Sequence, residues 1–121
     1  MIELRKIIQR QLKGIHPRVY FQMAPETATF PYLVYDIVNI NDDGEGFQQI
    51  TLDVDGWDNS ADTTALETLM KNVNQTLNKK TFVSGNDTVT FYLENKIPLT
   101  DDEPTIKRRK YTYQGRKFGR S

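Results

Sequence analysis

The sequence predicts an α+β domain: one mostly antiparallel β-sheet carrying two helices, in the order α-β-β-β-α-β-β. Three observations predict it. Residues 48–77 read QQITLDVDGWDNSADTTALETLMKNVNQTL, a strand with one apolar face running into a helix with one apolar stripe. Four further segments carry strand texture, and an amphipathic segment opens the chain. The connections between strands are short enough for antiparallel neighbours.

Taken in order, residues 2–13 predict the first helix. Leu4, Ile7, Ile8 and Leu12 form a stripe, with Arg5, Lys6, Arg10 and Lys13 on the other side. Gly14 is a natural stop and Pro17 forbids continuation. Val19 to Met23 predicts a short strand with Val19, Phe21 and Met23 on one face, followed by a turn-rich connection bounded by Pro25 and Pro31. YLVYDIVN (32–39) is apolar on both faces apart from Asp36, as in a central strand. Residues 41–46, with two glycines and three acids, predict an exposed hairpin loop. Ile50, Leu52 and Val54 then alternate with Thr51, Asp53 and Asp55 until Gly56 and Trp57 end the run. Asp58, Asn59 and Ser60 are the helix N-cap candidates, and Ala61, Ala65, Leu66, Leu69, Met70, Val73 and Leu77 recur at helical spacing. That helix is expected to end near Lys79 and Lys80 and to lie across the sheet, setting the core. Residues 84–87 predict a turn, 88–93 a strand, and 98–104 a loop. Ile106 to Gln114 predicts the last strand. The expected organisation is a single domain over 1–114 with a loose basic tail over 115–121.

Bulk properties narrow the function. A chain of 121 residues suits one core, and its modest 37% hydrophobic content leaves surface for partners. No apolar run reaches the ~18–20 residues of a membrane span. The N-terminus lacks the layout of a signal peptide, and with no cysteine there is neither a disulfide framework nor a thiolate metal site. A reducing cytosol is the expected place of synthesis. Net charge is zero but uneven: Val19 to Met70 holds ten acids and no Lys or Arg, while Lys107 to Arg120 holds seven cations and no acid. Opposite charges of this kind can pair between copies.

Candidate chemistry is sparse. Asp53 and Asp55 share one side of a strand, about 7 Å apart, where two carboxylates could hold a divalent ion. A metal-dependent nuclease would add a nearby lysine, yet none falls within fifteen residues on either side. His16 is the only histidine and sits in a turn with no nucleophile beside it. Gly44-Glu45-Gly46 lacks the following helix that a phosphate loop needs. In KRRKYTYQGRKFGR cations alternate with Tyr111, Tyr113 and Phe118, as in a single-strand nucleic-acid surface. A contact arm to another subunit, or a soluble Lys/Arg-rich edge strand, explains the same residues. Trp57, at the corner, reads as a core residue, a lid or an interface anchor.

The texture of this chain resembles a family of small phage and prophage proteins: the tail-completion, or tail-to-head joining, proteins of long-tailed bacteriophages, related in role to tail terminators. The residues that carry the resemblance are Ala24, Pro25 and Pro31 to Tyr35, the alternating strand closing on Asp55-Gly56-Trp57, and the helix start at Ser60-Ala61-Asp62. The resemblance implies a non-enzymatic virion component of the head–tail junction, made in the host bacterial cytoplasm, without cofactor, metal or membrane. Several copies, commonly six, would form a ring on the tail tube, stop its growth and meet the head connector or completion protein. Phage DNA would pass through the lumen without specific binding. Interface candidates are Asp42, Asp43 and Glu45 in the acidic loop and Lys107, Arg108, Arg109 and Lys110 in the basic segment; lumen candidates are Asp53 and Asp55. Charge reversal from Lys107 to Lys110 is expected to spare the fold and block joining. The alternative is a nucleic-acid-binding or metal-dependent nuclease accessory protein using the basic segment and Asp53/Asp55.

Overall fold

The computed structural model describes residues 2–42, 47–85, 87–100 and 103–118. Helix α1 spans Ile2–Lys13, and its stripe of Leu4, Ile7, Ile8 and Leu12 is buried. Strand β1 covers only Val19–Phe21. It stops short of Met23 because Gln22 takes a φ of 67° and the Met23 N–H bonds back to the Phe21 carbonyl at 2.7 Å. That tight turn throws Met23 out to 80% exposure, off the face it was expected to share with Val19 and Phe21.

Strand β2 is Tyr32–Asp42 and β3 is Phe47–Asp58. Helix α2 is Thr64–Leu77, and β4, β5 and β6 are Lys80–Ser84, Asp87–Thr100 and Lys107–Phe118. The six strands form one sheet in the order β1-β2-β3-β6-β5-β4. Among the described strands only β1 and β2 pair in parallel. The α+β class and the mostly antiparallel sheet with two helices are therefore as the sequence predicts.

Both helices pack on one face. From α2, Leu66, Leu69, Met70, Val73 and Leu77 are buried; from β3, Ile50, Leu52 and Val54 are buried beneath them. Each fully buried side chain of this size contributes roughly 2 kcal/mol. Gly56 is where the helix comes closest, since a Cβ there would meet Met70 Sδ at 2.6 Å. Tyr113 and Tyr35 belong to the same core, and each buried ring keeps a partner for its hydroxyl: Tyr113 donates to Asn74 Oδ1 at 3.1 Å and Tyr35 to Gln9 Oε1 at 2.7 Å.

Four details depart from the sequence reading. The corner after β3 is longer than expected: Asp58 still belongs to the strand and Thr63 is the N-cap residue, so Asp58, Asn59 and Ser60 cap nothing and Ala61 lies outside the helix. The extra strand β4 starts at Lys80, because the positive φ of Lys79 (61°) turns the chain straight back after the helix. Asn78 secures this reversal by accepting the Leu93 N–H at 2.8 Å. Strand β5 continues through Pro98, tolerated on a stretch that β4 does not reach, where the ladder is open on one side. Finally, the expected loose tail does not begin at Gly115. Strand β6 runs to Phe118, paired with β3 on one side and β5 on the other.

Candidate assembly surface on the open face of the sheet

The sheet face away from the helices carries the polar residues that alternate with the core. Asp53 and Asp55 lie on it together, as their spacing predicts. Across the ladder they meet the cations of β6, a strand that sits at the centre of the sheet and not at its edge. The Arg108 guanidinium donates to Asp55 Oδ2 at 2.6 Å, and Lys110 Nζ lies 3.8 Å from Asp53 Oδ2. Thr112 Oγ1 donates to Asp53 Oδ1 at 2.7 Å. Asp36, on β2, stands opposite Asp53 in register.

Burial pushes the Asp55 carboxyl up from its ordinary pKa, and the Arg108 hydrogen bond and charge, with a smaller contribution from Lys110, pull it back. The two carboxylates therefore do not present a bare acidic strip, because a β6 cation answers each of them. The lysine that the local sequence lacks is delivered by β6, as an ion pair. Among the described residues no three His, Asp or Glu side chains gather in a way that could hold a metal ion.

Strand alternation divides the basic run. Arg108 and Lys110 face the open side, while Arg109 faces the helices and donates to Glu67 at 2.6 Å. Lys107 donates to the Pro104 carbonyl at 3.0 Å. Reversing all four charges would set new acids against Asp53 and Asp55, so that variant would perturb the fold as well as the surface. Asp42 is exposed at the end of β2; Asp43 and Glu45 lie outside the described residues. His16 serves its turn, its Nδ1 accepting the Arg18 N–H at 3.1 Å.

Sequence reasoning missed an aromatic stack on this face. Phe30 stacks on Tyr32 with centroids 5.3 Å apart, Tyr32 on Trp57 at 6.1 Å, and the Arg108 guanidinium lies 4.7 Å over the Trp57 ring. Trp57 is thus not part of the main core. Its only sequence signal is parity: Trp57 shares its side of β3 with Asp53 and Asp55, and naming Tyr32 and Arg108 as its neighbours needs the strand order. Among the described residues, four side-chain atoms of the face are shut from solvent without a hydrogen-bond partner: Asp36 Oδ1, Asp55 Oδ1, Trp57 Nε1 and Arg108 Nε. An unmade hydrogen bond of this kind costs about 1–3 kcal/mol. Trp57→Phe keeps a stacking ring and deletes the unpartnered N–H. The lost N–H penalty and the weaker contact of the smaller ring with Arg108 offset each other, so the melting temperature is expected to stay within about 5 °C of the parent's; a larger fall would overturn the reading of the indole N–H as unpartnered.

A small α+β sheet with one face buried under helices and the other charge-paired and aromatic has the character of an assembly subunit, built around a surface more than around a cleft. The chain belongs to the family described as tail completion protein gp17, whose pattern matches residues 6–116. It is a phage tail structural protein, a virion component. Its fold is similar to that of a chain in the virion of a native gene transfer agent particle, with a TM-score of 0.79 at 13% identity, covering 93% of this chain and 92% of that one. A search of curated proteins finds no match.

Proposed function

We propose that the chain is a ring-forming subunit, hexameric when assembled, that completes the tail at the head–tail junction, joins it to the head connector and performs no catalysis. The observation that carries this reading is the family match over residues 6–116, which takes in α2 and β1 to β5 whole, two thirds of α1 and most of β6. The partners in this reading are further copies of the chain, the tail tube protein and the connector.

In this ring the open sheet faces look inward. Asp53 with Lys110, and Arg108 over the buried Asp55, then line the lumen as paired charges, so the expected lumen role of Asp55 passes to the arginine that covers it. DNA would pass such a strip without being gripped or strongly repelled. The acidic end of β2 at Asp42, with Asp43 and Glu45 beyond it, and the exposed parts of Lys107 to Lys110 remain the proposed contacts with the rings above and below.

Particles made without this protein test the proposal. Electron microscopy is expected to show full heads separate from tails, some of the tails overlong. Normally joined, infectious particles would overturn it. A gel shift with duplex DNA separates the nucleic-acid alternative: tight binding with a steep salt dependence is the outcome that alternative requires.

A further inference from the structure

We propose that the groove between α1 and β1 receives an acidic segment of a neighbouring virion protein. Arg5, Lys6 and Arg10 take its carboxylates, and Phe21 and Tyr35 an apolar side chain beside them. The inference goes beyond the ring reading and does not depend on the number of copies in a ring.

The groove holds about 290 Å³ and is lined by Arg5, Lys6, Gln9, Arg10, Phe21 and Tyr35, three cations and no acid. That is the bottom of the range of small-molecule sites, about 300–1,000 Å³; one or two side chains of a protein segment fill it. The edge of β1 already has partners of its own. Gln9 Nε2 donates to the Val19 carbonyl at 3.4 Å, and the Met23 N–H to the Phe21 carbonyl at 2.7 Å. Recognition therefore falls to side chains and not to an added strand.

Charge selects the partner. On β6 the cations are answered from within: Arg108 by Asp55, Arg109 by Glu67 and Lys110 by Asp53. On α1 they are not. Among the described residues no carboxylate lies within 4.0 Å of Arg5, Arg10 or Lys13, and Lys6 meets Glu3 in a pair exposed on both sides. Lys6, Arg10 and Lys13 follow one another at helical spacing, so like charges stand one turn apart, which weakens a helix. The helix dipole favours Arg10 and Lys13 in the last turn but opposes Arg5 in the first. A ridge of this kind is complementary to an acidic partner. The Arg5 guanidinium is held 4.3 Å over the Phe21 ring, which places its charge at the groove before anything binds. The same contact favours protein over nucleic acid, since that ring face is covered and not free to stack on a base. Of the chain's own acid-rich stretch, Asp36, Asp53, Asp55 and Asp58 are drawn into the sheet, buried or half-buried, so a second copy offers no continuous acidic ridge.

The test compares Lys6→Glu with Arg10→Glu against a variant of equal charge change outside the groove, Lys13→Glu with Lys71→Glu. All four positions are exposed and on helices, and glutamate is a good helix former. The full chain is titrated at low salt into a labelled peptide of alternating glutamate and leucine, and into labelled duplex DNA. The groove variant is expected to bind the peptide at least about fivefold more weakly than the parent, and the outside variant to match the parent. In particles, the groove variant should lower incorporation severalfold and the outside variant should not. Equal losses in both variants would reduce the effect to general charge attraction and overturn the site, as would a parent chain that does not bind the peptide. Tighter binding of DNA than of peptide, lost in the groove variant, would overturn it in favour of nucleic acid. An oligomer of the purified chain that the groove variant dissociates, seen by analytical ultracentrifugation, would overturn it in favour of a second copy. Arg10→Gln covers the case in which the groove variant does not fold: it should weaken the peptide about twofold, and full retention of binding counts against the site.

Discussion

Gly115→Val is expected to lower the melting temperature by on the order of 10 °C. Gly115 is buried in β6, opposite Ile50 on one side and Phe91 on the other. A Cβ there would stand 2.7 Å from Phe91 Cε1 and 2.9 Å from Cδ1, inside any real contact distance. The Phe91 ring has no exposure and leans on Phe82, centroids 6.2 Å apart, so it has nowhere to go. Overpacking of this kind typically costs 1–3 kcal/mol. The better strand propensity of valine returns less than about 1 kcal/mol, so the clash decides the sign. In a domain near 100 residues each kcal/mol moves the midpoint by about 4–8 °C. Thermal unfolding followed by circular dichroism measures it. An unchanged midpoint would mean that β6 ends before Gly115.

That expectation marks where the sequence was legible and where it was not. Periodicity placed α1, β2, β3 and α2 because each buries a regular stripe: Leu4, Ile7, Ile8 and Leu12 on one helix, Leu66 to Leu77 on the other. It failed where backbone devices outrank pattern. The helix-to-β4 reversal depends on a positive φ at Lys79, a residue with no special tendency to adopt it. Gly115 reads as the start of a flexible tail, because a glycine required by a ring above it and a glycine in a loop look alike in one dimension. Pro98 reads as a loop residue, since its tolerance depends on β4 being too short to reach it.

The candidate surface was half legible. That Asp53 and Asp55 share a face follows from their spacing alone. That Arg108 and Lys110 answer them requires β6 beside β3, a pairing across more than fifty residues of sequence. The same placement turns a supposed contact arm into a central strand. A run of four cations can sit in the middle of a sheet only because alternation sends Arg109 to Glu67 on one side and Arg108 and Lys110 to carboxylates on the other.

Arg108→Met is expected to destabilise the subunit by about 2–3 kcal/mol at neutral pH, because it strands a mostly buried carboxylate, and by clearly less near pH 4. The sign follows from linkage. Burial already raises the Asp55 pKa, and the Arg108 hydrogen bond and charge are the main influences opposing that rise. A carboxyl with a raised folded pKa binds its proton more tightly in the fold than in the unfolded chain. It therefore favours folding below the ordinary carboxyl range and takes stability away as pH rises through the folded value. Without Arg108 the folded value climbs further and the loss at neutral pH grows. Part of the cost does not depend on Asp55 ionisation: the guanidinium also lies over Trp57, a contact worth about 1 kcal/mol. Melting curves of parent and variant between pH 4 and 7 separate the two contributions. A gap that widens with pH, and that Asp55→Asn narrows in the Arg108→Met background, identifies the ion pair as the main one. A gap that is the same at every pH would place the role of Arg108 in stacking on Trp57, and the open face would then be held by its aromatic ladder in place of its charges.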